Sequence, residues 1–355
     1  MIAALPNPWK TEEKTTPLIR IDPIANGPLL EIDRLSVEFK TRQGALRPVN
    51  DVSLRLKSGR VLAVLGESGS GKSMLLRTIL GIQAPTAQVS GEVRMRGVNL
   101  LGLSPKEREQ IRGSWLSMVF QNPMTALDPV FTVEEQIVET LRRHGPLSRS
   151  AARDRALELL QLVHIPSPEQ RLKAYPFELS GGMRQRIVIA MSLACNPSLL
   201  LADEPTTALD VTVQARVLDL LRELQHELNM SMIIVTHDVG VAAAIADDVA
   251  VMYAGRIVET GPVRTILREP RHPYTRGLLQ ANVRPGQTER PEAIPGAPPN
   301  LARLPSGCSF APRCSQASDA CWSAMPELHS VGLAHQARCC QLSHLRDEPA
   351  ATAAS

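Results

Sequence analysis

The sequence predicts an α/β fold in which short, largely parallel strands alternate with longer helices. Three apolar runs that each end at a polar loop predict buried strands, at Val61–Leu65, Leu199–Ala202 and Met232–Val235. Longer Ala- and Leu-containing segments predict the intervening helices, at Ser73–Leu80, Ser148–Val163, Val211–Leu228 and Val239–Ala246. A parallel sheet covered by helices is the architecture that this alternation favours.

Composition narrows the functional classes. The 355 residues are 43% hydrophobic, which favours a sizeable core and argues against wholesale disorder. The 39 Lys and Arg are intermixed with 36 Asp and Glu, and only 3% of residues are aromatic, so we expect no nucleic-acid partner. No apolar run approaches the roughly 18 residues that cross a bilayer, and the N-terminus lacks a signal-peptide pattern. We therefore expect a cytoplasmic protein that reaches a membrane only through a partner.

Proline marks the domain boundaries. Five of the 28 prolines lie in the first 28 residues and nine lie after Asn282. We expect an extended segment over 1–28, a main domain over 29–267, a small Cys- and Pro-rich module over 268–345 and a disordered tail over 346–355.

A phosphate-binding loop follows the first predicted strand. The run from Gly66 to Ser73 matches G-x-x-x-x-G-K-[ST] and precedes a predicted helix, which is the context of a P-loop. Its glycines and serines let backbone N–H groups and a helix N-terminus face phosphate oxygens; these are Gly66, Ser68, Gly69, Ser70 and Gly71. Lys72 would reach the β- and γ-phosphates, and the Ser73 hydroxyl would bind Mg²⁺. The alternative, a chance Gly/Ser-rich turn, does not explain this strand-loop-helix order.

Two carboxylates end the second predicted strand. Asp203 is placed to bind Mg²⁺ through water, and Glu204 to act as general base or to orient the attacking water. Alone, such a pair could be solvated loop residues. Together with the P-loop it indicates an NTPase, a description that still includes kinases, GTPases, helicases and recombinases.

The run Leu179–Arg186 resembles the LSGGQ signature of ABC ATPases, with Met183 in place of the usual Gln. The resemblance implies that the signature and the D-loop bind the ATP held by a second subunit, through Ser180, Gly181, Gly182, Gln185 and Asp210. Asp210 ends the D-loop-like run Ala208-Leu209-Asp210.

The remaining elements of that family occur in the expected order. Gln121 resembles the Q-loop residue, which senses Mg²⁺ and faces the membrane subunits, and His237 resembles the switch histidine that contacts the γ-phosphate. The resemblance thus implies a catalytic set of Lys72, Gln121, Glu204 and His237, with Mg²⁺ held through Ser73, Gln121 and Asp203. Phe39 is the candidate for adenine stacking, or else a strand core residue.

Four longer runs resemble the ATPase subunits of oligopeptide and dipeptide importers, a subfamily that also serves nickel: Tyr175–Arg186, Ala202–Gln214, His272–Leu279 and Ile294–Pro299. The similarity extends from Leu29 to Leu342. It implies a RecA-like core, an antiparallel β subdomain, a helical subdomain over about 122–190 and the C-terminal module.

The implied function is ATP-driven uptake. Two ATPase subunits, expected to be different paralogues, would close head to tail around ATP. Their closure would reorient two transmembrane permease subunits, to which an extracytoplasmic binding protein delivers the substrate. The chain would lie peripherally on the cytoplasmic face of the bacterial inner membrane. Three alternatives remain: transport of nickel or another small solute, a soluble ABC protein of translation or DNA repair, and a subunit whose ATPase is idle. The single cassette without heptads disfavours the second, and the intact catalytic residues disfavour the third.

Five of the six cysteines fall in the C-terminal module. In a cytosolic protein such clustering favours a metal over disulfides, and the C-x5-C-x6-C spacing is too wide for a usual zinc ribbon. The resemblance implies a [4Fe–4S] cluster on Cys308, Cys314, Cys321 and Cys339, with Cys340 as the alternate fourth ligand. Zinc or a metal-free thiol cluster are the alternatives. Cys195 is predicted to be a small buried residue.

Overall fold

A computed structural model describes residues 27–42, 44–207, 209–281 and 293–342. The predicted tail lies outside these ranges, as does the predicted N-terminal segment except for its last two residues. Within the described ranges, no helix combines the length and apolarity needed to cross a membrane.

An eight-stranded sheet forms the centre of the molecule, in the order β11-β12-β10-β9-β3-β8-β7-β6. Its five-strand parallel part is β9-β3-β8-β7-β6, and the three predicted strands are confirmed as β3, β7 and β8. The strands are β3 (Val61–Leu65), β6 (Leu116–Val119), β7 (Leu199–Asp203), β8 (Ser231–Thr236), β9 (Asp248–Tyr253), β10 (Arg256–Pro262), β11 (His329–Gly332) and β12 (His335–Ala337).

Both faces of this sheet are covered. Alternate residues of β3 enter different core clusters, with Val61, Ala63 and Leu65 in one and Leu62 and Val64 in the other. Side chains on a strand alternate between the two faces, so a strand buried on both faces must be apolar throughout. This explains why the central strands could be located as continuous apolar runs.

Of the helices that flank the parallel strands, the first three named below confirm the predicted Ser73–Leu80, Val211–Leu228 and Val239–Ala246 to within one residue at each end, and the last two were not predicted. They are α1 (Lys72–Leu80), α8 (Val211–Glu227), α9 (Val239–Ile245), α10 (Val263–Arg268) and α11 (Pro273–Ala281). α1 and α8 start directly after the loops that end β3 and β7, which places their N-termini at the carboxyl edge of the sheet.

Five further helices lie between β6 and β7: α3 (Pro123–Ala126), α4 (Val133–His144), α5 (Arg149–Leu162), α6 (Pro168–Leu172) and α7 (Gly181–Leu193). Local capping sets their starts. Thr132 and Glu135 form a reciprocal capping box at α4, and the Ser148 hydroxyl caps α5. α5 matches the helix predicted over Ser148–Val163.

A second sheet is antiparallel, in the order β2-β1-β4-β5. Its strands are β1 (Leu30–Thr41), β2 (Gly44–Leu56), β4 (Gln88–Met95) and β5 (Val98–Asn99), followed by the helix α2 (Pro105–Ile111). Its apolar face shares the core cluster that contains Leu62 and Val64 of β3. The antiparallel sheet therefore packs on one face of the parallel sheet.

The C-terminal module is continuous with the main sheet rather than simply appended, since β12 pairs with β10 and β11 with β12. A buried carboxylate joins them. Glu259 of β10, 0% exposed, accepts hydrogen bonds from the Arg271 and His272 backbone N–H groups, at 2.7 and 2.9 Å, and lies 2.8 Å from Nε2 of His335 on β12. A buried polar group is tolerated when it is hydrogen-bonded, so this cluster fixes the module on the main sheet. The module also contains α12 (Asp319–Ser323).

Candidate functional site

The loop between β3 and α1 wraps tightly at two glycines. Gly71 has φ +108°, and a Cβ there would lie 1.8 Å from the Pro48 carbonyl oxygen. A Cβ on Gly66 would lie 2.2 Å from the Met252 carbonyl oxygen. Only glycine allows this approach of the loop to β2 and β9. These close approaches keep the loop wrapped at the N-terminus of α1, where backbone N–H groups can bind an anion.

Lys72 is held inside this loop. Its ammonium group donates to the carbonyl oxygens of Gly66 and Glu67, at 2.8 and 2.9 Å, and the residue is 5% exposed. Burial lowers the pKa of Lys72, while the nearby carboxylates of Glu204, Asp203 and Glu67 act in the opposite direction. The lysine thus closes the loop and leaves its charge where a phosphate would enter.

Ser73 and Asp203 meet beside the loop. The Ser73 hydroxyl donates to Oδ1 of Asp203 at 2.8 Å, and Asp203 is 2% exposed. Burial raises the pKa of the Asp203 carboxyl, and the hydrogen bond from Ser73 opposes that rise. A hydroxyl and a carboxylate oxygen are hard ligands of the type that Mg²⁺ prefers, so this pair fits the predicted magnesium site.

Glu204 is where the catalytic candidates converge. Its Oε2 accepts from the Thr207 hydroxyl at 2.8 Å and from Nε2 of Gln121 at 3.2 Å, and its Oε1 lies 3.1 Å from Nδ1 of His237. Its backbone has φ +46°, an uncommon conformation for a residue with a Cβ. Strained backbone of this kind tends to occur at functional sites, where neighbouring contacts maintain it.

The hydrogen bonds around Glu204 set its ionisation. Burial acts to raise the pKa of this carboxyl, but hydrogen bonds from Thr207 and His237, with the positive charge of Lys72, outweigh burial and lower that pKa. Glu204 is therefore ionised at neutral pH and able to accept a proton. Thr207 was missed by sequence reasoning, although its place in the Asp203-Glu204-Pro-Thr-Thr run after the strand was the available signal.

Gln121 is predicted both as a catalytic residue and as a magnesium ligand, and it lies beside Glu204. The Gln121 side-chain amide donates a hydrogen bond to Glu204. The other two predicted magnesium ligands, Ser73 and Asp203, hydrogen-bond to each other. The structure therefore brings Gln121 to the general-base candidate, and its predicted role as a magnesium ligand stays a prediction.

The signature residues form a separate, exposed surface. The Ser180 hydroxyl caps α7 by accepting from Met183 N–H, and Asp210 caps α8 by accepting from Val213 N–H at 2.9 Å. Ser180, Gly181 and Asp210 are exposed, and a Cβ on Gly182 would lie 2.8 Å from a Val213 methyl group. Within the described ranges, the hydrogen bonds of Ser180 and Asp210 stay at their own helix starts. The surface is thus free to meet another molecule.

Of the predicted nucleotide contacts, Gln185 is buried and Phe39 is half-buried, and one residue of the D-loop-like run lies outside the described ranges. Gln185 is 1% exposed because it shares the inward face of α7 with Ile189, so its side chain does not belong to the exposed signature surface. Phe39 is half-buried and packs against the core cluster beneath the antiparallel sheet, which supports the strand-core alternative. Ala208 of the predicted D-loop lies outside the described residues.

None of the five module cysteines forms a disulfide, and the Cys321 and Cys340 thiols hydrogen-bond to each other. Burial raises the thiol pKa of Cys308, Cys314 and Cys339, and that of Cys340 to about 12. Burial acts the same way at Cys321, but hydrogen bonds from Ser318 and Cys340 outweigh it and lower that pKa. Among the described residues, no three His, Cys, Asp or Glu side chains are arranged to hold a metal ion. Cys195 is buried, as predicted.

Comparison with known proteins identifies the family. Residues 49–207 match the sequence model for the ABC transporter family, and residues 258–321 match the one for the oligopeptide/dipeptide transporter C-terminal region. The chain is 48% identical over 311 residues to the oligopeptide transport ATP-binding protein OppD of Bacillus subtilis, covering 86% of this chain and 87% of that protein. The chain belongs to the ABC transporter ATP-binding proteins.

Other relatives of this ABC ATPase agree. OppD of Salmonella typhimurium is 46% identical over 299 residues, covering 84% of this chain and 89% of that protein. Among solved structures, a dimeric ATP-binding cassette, MJ0796, bound to ADP and Pi is 30% identical with a TM-score of 0.59, covering 66% of this chain and 99% of that one. The cassette cbiO1 of Clostridium perfringens is 28% identical with a TM-score of 0.60, covering 69% of this chain and 92% of that one.

The predicted ABC-type α/β fold and the predicted family are therefore confirmed. The protein is an ATPase that binds and hydrolyses ATP, as predicted from the P-loop, the paired carboxylates and the signature.

Proposed function

We propose that this ABC ATPase energises the import of oligopeptides or dipeptides. The observation that carries the proposal is the match of residues 258–321 to the oligopeptide/dipeptide transporter C-terminal region, on a chain that also contains the cassette. The names of the relatives, which are oligopeptide transport ATP-binding proteins, support the same substrate class.

The hydrolytic step is proposed from the contacts of Glu204. Its carboxylate accepts a proton from the attacking water, whose oxygen then forms the new bond to the γ-phosphorus as the bond to the β-phosphate oxygen breaks. Thr207, Gln121 and His237 hold both carboxylate oxygens in place. Lys72 and the loop N–H groups bind the phosphates, and Ser73 with Asp203 would hold Mg²⁺, which neutralises charge on the phosphate oxygens.

A second ATPase subunit is proposed to complete each site. The exposed Ser180, Gly181 and Asp210 lie at the N-termini of α7 and α8, where N–H groups favour an anion. A head-to-tail pair, proposed to combine two different paralogues, would place this surface against the partner's bound ATP.

Exposed apolar side chains support docking to membrane permeases. Five large side chains that lie in or before the helices between β6 and β7 are 40–69% exposed: Phe120, Met124, Val130, Phe131 and Phe177. Four of the five lie within residues 120–131, and large apolar side chains exposed along one segment are a feature of interaction surfaces. Phe120 directly precedes Gln121, so a permease bound here would sit one residue from a contact of Glu204. We propose that two permeases and an extracytoplasmic binding protein complete the importer on the cytoplasmic face of the bacterial inner membrane.

We also propose that the module binds a [4Fe–4S] cluster through Cys308, Cys314, Cys321 and either Cys339 or Cys340. The support is the number of thiols, since the module holds five cysteines and such a cluster needs four thiolates. No three of these described thiols are arranged to hold a metal ion in this structure, so binding would have to draw them together. Binding would displace the thiol protons that burial retains. Anaerobically purified protein should contain about four iron and four sulfide per chain; fully active protein with neither would contradict this proposal.

Uptake in cells tests the substrate class. A strain that lacks the gene should lose accumulation of labelled oligopeptides or dipeptides and regain it with the parent chain but not with Lys72→Ala. Nickel uptake in the same strains is the comparison. Loss of nickel uptake with normal peptide uptake would contradict the peptide proposal and favour the alternative solute.

A further inference from the structure

A forked ion pair connects the C-terminal module to the phosphate-binding loop. Arg313 lies on the single 3₁₀ turn Ala311–Arg313, directly before Cys314. Its Nη1 and Nη2 donate to the two carboxylate oxygens of Glu67, at 2.7 and 3.0 Å. The Arg313 side chain is 6% exposed and that of Glu67 25% exposed. Two parallel charge-assisted hydrogen bonds, largely shielded from water, make this a strong contact.

Arg313 is held from its own side as well. Its Nε donates to the Pro295 carbonyl oxygen at 2.8 Å, and its guanidinium lies 5.9 Å from the centre of the Tyr253 ring, over its face. The arginine is therefore positioned by the module and by β9 independently of Glu67. It can act as a fixed anchor for the loop.

A second contact holds the backbone of the same loop residue. The Glu67 N–H donates to the Tyr274 hydroxyl at 2.8 Å. Tyr274, on α11, is 0% exposed and packs on Tyr253 and Phe310, with ring centres 4.5 and 5.4 Å away. The Glu67 carbonyl oxygen in turn accepts from Lys72. Side chain, N–H and carbonyl of Glu67 are thus all fixed, two of them by residues beyond the cassette.

The charge balance explains why an arginine is needed here. Glu67 lies inside the loop proposed to bind a triphosphate, where an uncompensated carboxylate would repel the ligand. The guanidinium neutralises that carboxylate and fixes its geometry through two nitrogens, which a lysine, whose donors all lie on one nitrogen, does less well.

We propose that Arg313 is a positioning residue of the ATP site, which holds Glu67 so that the phosphate-binding loop is ordered and charge-compensated before ATP arrives. The inference rests on the proposed role of residues 66–73 as the phosphate-binding loop. Preorganisation of a binding loop raises affinity because the ligand does not have to offset the entropy cost of ordering the loop. The C-terminal module is then a functional part of the nucleotide site.

The test is MgATP affinity, measured by titration on the full chain for Arg313→Ala, Glu67→Gln and the double variant. We expect Arg313→Ala to raise Kd about tenfold. The same substitution made in the Glu67→Gln background should cost less than about twofold, because the two residues then no longer interact. Arg313→Lys, which keeps the charge and most of the stem, should give an intermediate loss.

Binding stoichiometry separates this role from a merely structural one. Partial misfolding lowers the number of sites per chain, whereas a disordered loop raises the Kd of the sites that remain. Arg55→Ala is the matched control, because Arg55 pairs with Glu31 at 2.8 Å in an exposed part of the antiparallel sheet; its Kd should equal that of the parent.

Two results would overturn the proposal: a Kd within twofold of the parent for both Arg313→Ala and Arg313→Lys, or an equal loss from Arg313→Ala in both Glu67 backgrounds. Failure of the loop assignment itself is recognised separately, since Lys72→Ala would then bind MgATP as tightly as the parent.

Discussion

Substitution of Glu204 by Gln should nearly abolish ATP hydrolysis while ATP binding persists. The amide keeps the shape and can still accept the Thr207 hydrogen bond, but it cannot take a proton from water. Loss of a general base typically slows a reaction about 10²- to 10⁴-fold, and we expect a turnover loss in that range. The measurement is phosphate release by the assembled transporter alongside nucleotide retention, which should show ATP trapped on the protein.

The control is Glu227→Gln, which removes an exposed carboxylate at the end of α8 and should leave turnover unchanged. Normal phosphate release by Glu204→Gln would show that another group accepts the proton. His237 lies close to the same carboxylate, so His237→Ala should also reduce turnover, with ATP binding largely retained.

The second large effect is expected from Lys72→Ala, which should weaken nucleotide binding rather than slow the chemical step. The buried ammonium closes the loop through the Gly66 and Glu67 carbonyl groups and supplies charge for the phosphates. Hydrogen bonds to charged groups are worth about 1.5–3 kcal/mol, which corresponds to a rise in Kd of about 10- to 100-fold.

Titration with MgATP on the full chain measures this effect, and Lys106→Ala, an exposed lysine of α2, is the control. The Glu204→Gln and Lys72→Ala variants should therefore differ in kind. Glu204→Gln binds ATP without hydrolysing it, whereas Lys72→Ala binds ATP more weakly. Unchanged MgATP affinity in Lys72→Ala would contradict the assignment of the phosphate-binding loop.

Much of the fold could be predicted because it depends on local pattern. The central strands are apolar on both faces, so Val61–Leu65 and Leu199–Asp203 appear as uninterrupted runs. The α1 start is fixed by the glycines and Lys72 of the motif, and the α5 start by the Ser148 cap. These signals lie within a few residues of the elements they specify.

The features that could not be predicted depend on long-range contacts. The ion pair of Arg313 with Glu67 joins residues 246 positions apart, and the sequence around either residue does not indicate its partner. Likewise, Glu259 and His335 appear as ordinary polar residues in the sequence, yet their pairing joins β12 to the main sheet. Burial of Gln185 depends on how α7 packs, and this packing cannot be predicted from the spacing of the signature motif.

The most direct test of the proposed function is a coupled measurement on the purified importer in proteoliposomes, with ATP inside or outside and its binding protein supplying a labelled oligopeptide. We predict that peptide accumulates only when MgATP is on the side of this subunit, and that accumulation and phosphate release are both lost with Glu204→Gln. Steady ATP hydrolysis with no movement of any peptide tested would contradict the proposal that this subunit drives peptide import.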